Sequence, residues 1–516
     1  MNLAIIISLL IVAGHAERVV IVTMQMGGHL SESGGVARGL IDIGHDVFIL
    51  MDENAKKPPQ LRDSGVKVIS YASSDAKSIE MIDNYERDLS EVMIAGGGTD
   101  AVVARVMKPR IEHDCLTILR DDSLMRTLAG YRFDMAIVEG LYFCNHLIPY
   151  KLNVSFVSMS TVIYPYITKT HPLVTPWPCS ITEQSNTFAN RMRQFLYSLF
   201  FENFVPHIFL DEKKFLGFVA DEPHGSLYEI AEQSKLWLIN KDNLLDCARP
   251  SQPNVIYIGG ISAAAPKPLP TELEDFLDSA ADAGAIVVTH SSMMAHVSET
   301  FTQKLMHAFS RIGQKILMRL VYRIPGNVTI PSNVKIVDWI PQNDVLAHRN
   351  VRLFITHCGN NGQSEALYHG VPMLGLPLFG DQMYNAERVV VKGYGLKLDT
   401  EKFTSDDLQS AIHELLNNSN FTRNIGKASA IFKSRPHPRD QAAYWIDHVM
   451  KYGDQHLKTS TNYMSTAQFL MFDIFGSLLF VLQILIFALH RTVVRVTATI
   501  WSKIKNKRSP KTEHVE

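Results

Sequence analysis

The chain has 516 residues, 46% of them hydrophobic, and a formal net charge of −2, which is enough chain for two or three domains with buried cores. Its charges are balanced and its soluble part carries no basic stripe, so a nucleic-acid partner is not expected. The five cysteines, Cys115, Cys144, Cys179, Cys247 and Cys358, are few, odd in number and free of any Cys-x-x-Cys pair; neither a zinc site nor a disulfide scaffold is indicated, and at most one or two bridges are expected.

Met1 to Ala16 holds an apolar run, Leu3 to Val12, that ends in Gly14-His-Ala16, a small-x-small cleavage pattern. Residues 1–16 are therefore expected to be a signal peptide that is cut before Glu17; a buried first strand is the competing reading. Val19 to Met24 reads as a strand, Leu30 to Leu40 as a helix stopped at Gly44, and Val47 to Met51 as the next strand. This βαβ opening predicts a parallel sheet.

His29 falls where the first strand meets its helix, on the edge of the sheet that binds ligands. By position alone it is as much a helix-capping or solvent-facing residue as a catalytic one. A histidine that accepts a proton needs its other ring nitrogen held and its positive charge stabilised, which calls for a carboxylate partner. Glu139, at the end of the strand-like Phe133-Asp-Met-Ala-Ile-Val-Glu139, is the candidate, against the plainer reading of a solvated strand-end glutamate.

Asp83 to Arg132 alternates charged and apolar residues in helical fashion, broken at Gly96-Gly-Gly98. Phe156 to Pro178 is rich in Thr, Tyr and Pro and is expected to form a loop. Phe195 to Phe218 is dense in Phe, Leu and Tyr and is expected to be core. Pro, Ser, Ala and Gly accumulate over Pro250 to Pro270 around the strand Val255 to Ile258, which sets a boundary between a domain of residues 17–255 and one of residues 256–460. Ala285 to Thr289 restarts the buried-strand pattern.

Within the second domain, Leu353 to Thr356 is an apolar strand followed at once by a Gly/Asn turn and a helical pattern, Ser364 to His369, closed by Gly370. A strand that feeds a helix through small residues leaves free N–H groups and the positive end of the helix dipole above the strand, which suits a diphosphate; a tight connection with no ligand is the alternative. A second strand, Val371 to Leu376, ends in Pro377-Leu-Phe-Gly-Asp381-Gln382 and brings a carboxylate and an amide to the same edge. Asp440 to His448, with Trp445, is an amphipathic stretch.

Phe469 to Leu489 carries one charge, Asp473, and suffices to cross a membrane as a helix. The tail of residues 490–516 holds Arg491, Arg495, Lys503, Lys505, Lys507, Arg508 and Lys511 and is expected to be cytoplasmic. Together with the signal peptide this predicts a type I single-pass protein with residues 17–460 in a lumen. Of four Asn-x-Ser/Thr sites, Asn327, Asn417 and Asn420 lie in polar surroundings and Asn153 is expected to be buried.

The block Trp339-Ile-Pro-Gln342, Phe354-Ile-Thr-His357-Cys-Gly-Asn-Asn-Gly362, Glu365 and Pro377 to Gln382 resembles the signature of the UDP-glycosyltransferases, closest to the animal membrane-bound branch called UDP-glucuronosyltransferases. A thinner similarity runs from about Val19 to His490. The resemblance implies an α/β protein with two doubly wound, Rossmann-like domains that face across a cleft, the GT-B type, plus one C-terminal transmembrane helix, with Asp440 to His448 crossing back to the first domain. It also tips His29 toward the catalytic reading, because the family places its catalytic histidine after the first strand, where Met26-Gly-Gly-His29 stands. Glu139 matches the strand that ends in that histidine's partner aspartate, one methylene longer here.

The activity so implied is inverting transfer of a sugar from a UDP-sugar to a hydroxyl of a small lipophilic acceptor, with His29 as general base and Glu139 as its orienting partner. Thr356, His357, Gly359, Asn361 and Gly362 would bind the phosphates, Trp339 would stack on uracil, Gln342 would bond the nucleoside, Glu365 would accept from the ribose, and Asp381 and Gln382 would hold the sugar, with Ser292 also on the donor. No Asp-x-Asp occurs, so neither a metal nor another cofactor is expected. The endoplasmic reticulum lumen is the implied site, and homo- or hetero-oligomers are left open as partners.

The chain departs from the pattern at Ser291-Ser292, where the family commonly has Gly-Ser or Gly-Thr, and at Met318-Arg319, where Trp-Arg is usual; a Cβ at Ser291 crowds the approach to the nucleotide. Asn240 stands where an Arg of the vertebrate branch is taken to read the glucuronate carboxylate, so UDP-glucose competes with UDP-glucuronate as donor. Two other classes compete with the enzyme. A nicotinamide-dependent oxidoreductase would use Asp52 at the end of the second strand, but the first turn lacks G-x-G-x-x-G. A non-catalytic membrane protein of the same fold would bind nucleotide-sugar or lipophilic ligands without transfer.

Overall fold

Runs of Val, Ile and Leu without polar alternation make strands that are buried on both faces, and such runs build two all-parallel sheets. The computed structural model describes residues 16–508, except 26, 56–60, 62–63, 73–79, 81–83, 85–86, 93–101, 163–166, 170–186, 190, 194, 197–210, 220–225, 291–297, 321–323 and 325–327. The first sheet comprises β1 (Arg18–Val22), β2 (Asp46–Asp52), β3 (Lys67–Tyr71), β4 (Met135–Glu139), β5 (Phe156–Ser160), β6 (Trp237–Ile239) and β7 (Val255–Tyr257), in the order β3-β2-β1-β4-β5-β6-β7. The second comprises β8 (Ala285–Thr289), β9 (Lys315–Arg319), β10 (Val334–Val337), β11 (Val351–Thr356), β12 (Met373–Gly375) and β13 (Gly395–Lys397), in the order β10-β9-β8-β11-β12-β13. The fold class is the two-sheet α/β architecture expected. The strand β7 spans residues 255 and 256 and pairs with β6, and the second sheet opens at β8.

Strand order reverses between β1 and β4 in one sheet and between β8 and β11 in the other. Such switch points open a crevice at the carboxyl ends of the strands. The register sets Val22 against Val138 and Thr356 against Thr289. The carboxyl ends of β1, β4, β8 and β11 are thereby gathered at two crevices, and His29, Glu139, His290 and His357 stand at or just after these strand ends.

Helix α1 (Gly27–Asp42) follows β1. It starts before the expected Leu30, so His29 lies in its first turn. Helix α2 (Asn360–His369) likewise starts four residues before the expected Ser364. The segment Asn360 to Gly362, expected as a turn, is the first turn of that helix, since Cys358 at φ 64 and an extended Gly359 already complete the change of direction. Helix α3 (Gln382–Val391) follows β12, and α4 (Pro438–Tyr452) lays Ala442, Ala443, Ile446 and Val449 into the core that holds Leu30, Val36, Ala37 and Leu40 of α1. They pass closely at Gly39, where an added Cβ would come within 2.7 Å of the Arg439 carbonyl oxygen.

Cys115 and Cys144 form a disulfide, and Cys358 is a free, buried thiol. Asn153, expected to be buried, is exposed in the turn before β5 with φ 53; Asn417 and Asn420 are exposed and Asn327 lies outside the described residues. Residues 1–15 of the segment expected to be a signal peptide, Gly96 to Gly98, Ser291, Ser292 and most of Phe195 to Phe218 also lie outside them. Residues from Lys458 onward form a separate unit. It contains α5 (Phe472–Arg508), whose segment Phe472–Asn506 is long and apolar enough to cross a membrane.

Candidate active site

His29 occupies the crevice of the first sheet. Its Nδ1 lies 3.0 Å from Glu139 Oε2, and Glu139 is 1% exposed. The carboxylate at the end of β4 therefore accepts the Nδ1 proton and fixes the tautomer that leaves Nε2 for the cleft. Burial pulls the imidazole pKa down, but the Glu139 charge and hydrogen bond, with Glu32 and Asp381 behind them, raise it to about 9. In the unliganded protein at neutral pH, His29 holds its proton.

Glu32 was not among the expected site residues. It stands one turn after His29 on α1, is 4% exposed, and its Oε2 has no hydrogen-bond partner among the described residues. Burial lifts its pKa to about 7 against the pull of His29, with the Glu139 charge adding to the lift and the amides of Asn240 and Asn361 opposing it. The signal was present in the sequence: positions three apart share a helix face, so any residue at 32 shares the face of His29.

The second crevice is built differently. The N-terminus of α2 has no side-chain cap, so its first N–H groups are available to an anion, as expected of a diphosphate cradle. A Cβ at Gly359 would meet His357 Nε2 at 2.5 Å, and one at Gly362 would meet Gln342 Nε2 at 3.2 Å; the glycines are what let the backbone pass these two side chains. Burial holds the imidazole of His357 down at about 4 and that of His290 at about 3, each neutral at pH 7. Neither ring nitrogen of His290 has a partner among the described residues.

Gln342 links the crevice floor. Its Nε2 donates to Glu365 Oε2 and its Oε1 accepts from Thr289 Oγ1 at 2.8 Å. Glu365 is buried, which raises its carboxyl pKa to about 7. Trp339 is 47% exposed and has Arg319 stacked at 5.4 Å from its ring. Thr356 is buried at the end of β11, and its Oγ1 accepts from the Cys358 N–H at 3.2 Å. Gln382 spends its Oε1 on the backbone N–H groups of Leu378 and Phe379, at 2.9 and 3.3 Å.

Behind this floor runs a buried polar chain that the sequence reading did not anticipate. Asn385 Nδ2 donates to Asp381 Oδ2 at 2.7 Å and to the Cys358 carbonyl at 3.0 Å, and Arg388, fully buried, donates to Asn385 and Gln363 and pairs with Asp246. Arg249, Arg388 and Lys241 outweigh the burial of Asp246 and hold its carboxyl far below the usual range. Spaced at Asp381, Asn385 and Arg388, these residues follow helical i, i+4 and i+3 steps on α3.

The two crevices meet. Asn361 Nδ2 donates to the Gly28 carbonyl at 3.2 Å, Asn240 Nδ2 donates to Asn361 Oδ1 at 3.3 Å, and Asn360 Nδ2 donates to the Asn240 carbonyl at 2.9 Å. The first turn of α1, which bears His29, thus touches the first turn of α2. The structure brings His29, Glu139, Asn361 and Asp381 into one cleft, with His357 beside Asp381 and with Gln342 and Glu365 paired deeper in the second crevice; Trp339 flanks that crevice on the surface. Among the described residues no three His, Cys, Asp or Glu side chains are grouped to hold a metal ion.

Residues 17–508 match the family model described as UDP-glucoronosyl and UDP-glucosyl transferase. The chain is 29% identical to rat 2-hydroxyacylsphingosine 1-beta-galactosyltransferase over 96% of its own length and 90% of the relative's. It is 33% identical to UDP-glucuronosyltransferase 2B23 of Macaca fascicularis over 73% of each chain. Among solved structures, spinosyn forosaminyltransferase SpnP superposes with a TM-score of 0.57 at 17% identity, over 84% of this chain and 99% of that one.

Proposed function

Because the chain belongs to the UDP-glucoronosyl and UDP-glucosyl transferase family and is a UDP-glycosyltransferase, we propose that it transfers a hexose, with inversion, from a UDP-sugar to a hydroxyl of a small lipophilic acceptor. The observation that carries this is the His29–Glu139 pair held against the first turn of α2. His29 Nε2 takes the acceptor proton, and Glu139 holds the ring and stabilises the imidazolium. The N–H groups at the start of α2, with Thr356, His357, Gly359, Asn361 and Gly362 around them, bear the charge that develops on the departing diphosphate. Trp339 takes the uracil, Gln342 and Glu365 the nucleoside, and Asp381 and Gln382 the sugar. Attack from the face opposite the diphosphate inverts the anomeric centre, and the chemistry proposed uses no metal.

The domains are assigned to residues 17–255 for the acceptor and 256–460 for the donor. The Cys115–Cys144 disulfide supports an oxidising compartment, and α5 with its basic end supports a type I anchor with the cleft in the endoplasmic reticulum lumen. The names of the relatives, a galactosyltransferase and a glucuronosyltransferase, support both a neutral and an acidic hexose as donor. The test is to incubate the purified full-length protein with UDP-glucose, UDP-galactose or UDP-glucuronate and a panel of phenols and lipophilic alcohols, and to weigh the products. Protection from thermal unfolding by UDP without any glycosylated product would favour the non-catalytic reading.

A further inference from the structure

Three carboxylates surround one imidazole in this cleft: Glu139, Glu32 and Asp381 all act on His29. Glu139 is committed to His29 Nδ1 and Asp381 to Asn385. Glu32 makes no ion pair among the described residues and, like Glu139 with its Oε1, keeps one oxygen without a hydrogen-bond partner among them. It is buried to 4% exposure, one of its oxygens is unpartnered, and its neighbours are the amides of Asn240 and Asn361, which also bond to each other across the junction of the two crevices. An unsatisfied buried carboxyl oxygen is costly, and a site that keeps one is complete when a ligand donor reaches it.

A second buried cation is Lys241, in the loop after β6. The charges that act on it are Arg388, Asp246, Asp381 and Arg249, and neither Glu32 nor His29 is among them; it belongs to the side of the site occupied by Asp246. On the Glu32 side the balance is carboxylates against His29 alone.

We infer that Glu32 is a specificity-determining residue of the sugar subsite, which accepts a hydrogen bond from a hydroxyl of a neutral hexose and repels a donor whose sugar carries a carboxylate. The inference rests on the reading above, in which the sugar lies between His29 and Asp381. A hexose hydroxyl supplies the missing proton donor to Glu32 Oε2. A uronate would instead bring an anion beside a desolvated carboxyl whose cationic neighbour, His29, is already paired with Glu139, and such like-charge placement is how a site rejects a wrong partner.

The test is a set of thermal-unfolding titrations on the full-length protein in detergent with UDP, UDP-glucose, UDP-galactose and UDP-glucuronate, repeated on Glu32→Gln. One of the two neutral hexose donors is expected to bind roughly 10- to 100-fold more tightly than UDP-glucuronate, a size set by one unscreened like-charge contact, and Glu32→Gln is expected to bring that ratio to within about threefold. Equal affinity of the wild-type protein for the neutral and acidic donors would overturn the inference, as would a ratio left unchanged in a folded Glu32→Gln protein. Failure of UDP itself to bind would sink the donor-site reading, whereas UDP binding without discrimination sinks this inference alone. The wild-type ratio decides even if the variant does not fold.

Discussion

The two crevices sit at the same topological point of two similar sheets, yet they treat histidine in opposite ways. In the first, carboxylates from α1, β4 and the residue that precedes α3 raise His29 to about 9. In the second, burial outweighs the Asp381 charge beside His357, and His357 and His290 are held at about 4 and 3. The fold supplies the crevice in both cases; the side chains at the strand ends decide whether it moves a proton or cradles an anion with neutral groups. A protonated histidine would also attract a diphosphate. The second crevice leaves that task to the N–H groups of α2, whose partial charges need no proton to be in place.

That division can be broken most directly at His29. His29→Ala is expected to lower transfer by ~10²–10⁴-fold, the range for loss of a general base, while UDP affinity stays within a few-fold of wild type. Near-normal turnover, read from glycosylated product, would remove the first crevice from the chemistry. Gly359→Ala tests the second. Its Cβ would lie 2.5 Å from His357 Nε2, so the ring or the turn must shift, and UDP affinity is expected to fall by roughly 10- to 100-fold, an overpacking cost of ~1–3 kcal/mol. If calorimetry finds UDP binding unchanged, the cradle is elsewhere.

Much of this arrangement was legible in the sequence because its periodicities are local. Strand, glycine and helix occur in succession around both β1 and β11, and the contiguous stretch from Trp339 to Gln382 announces a donor site without any knowledge of the remainder of the chain. What could not be read were contacts between distant segments. The meeting of Asn240 with Asn361, and of Asn361 with the Gly28 carbonyl, depends on two domains closing on each other. Asp246, in the segment after β6, neutralises Arg388 of α3, and no local pattern pairs them. Glu32 is an intermediate case. Its helical spacing from His29 was visible, but its burial and its unpartnered oxygen become meaningful only once Asn240 and Asn361 are seen beside it. The starts of α1 and α2 were misjudged for a common reason: glycine and asparagine read as turn formers, whereas in both places they make the first helical turn, where free N–H groups and close approach are needed.

A subtler probe concerns the proton itself. The neutral form of His29 is the base, so transfer is expected to increase as pH rises toward about 9, the value to which the carboxylates raise it. Glu139→Gln keeps the shape of the partner but removes the charge that acts most strongly to hold the proton on His29. The rising limb of the rate profile should then move down by about one pH unit or more, with the plateau lowered roughly tenfold as a weaker base and a less well-fixed tautomer take over. A limb that stays in place in this variant would mean that the titrating group is not His29.

The smallest effect is expected at His290, and it separates what the second crevice needs from what it merely contains. His290 is 5% exposed with neither ring nitrogen bonded among the described residues, and its ring packs edge-on against Phe301 at 5.3 Å. A buried polar group without a partner costs about 1–3 kcal/mol, and an apolar group of similar shape relieves that cost. His290→Leu is therefore expected to raise stability by ~1 kcal/mol, a gain of a few degrees in Tm, and to leave UDP affinity nearly unchanged, because the proposed diphosphate site is built from α2 and His357. Below pH 6.5 the gain should grow, since the wild-type imidazole binds a proton in the unfolded chain that its buried site resists. A loss of UDP affinity comparable to that of Gly359→Ala would instead make His290 part of the cradle, and the second crevice would then depend on imidazole chemistry as the first one does.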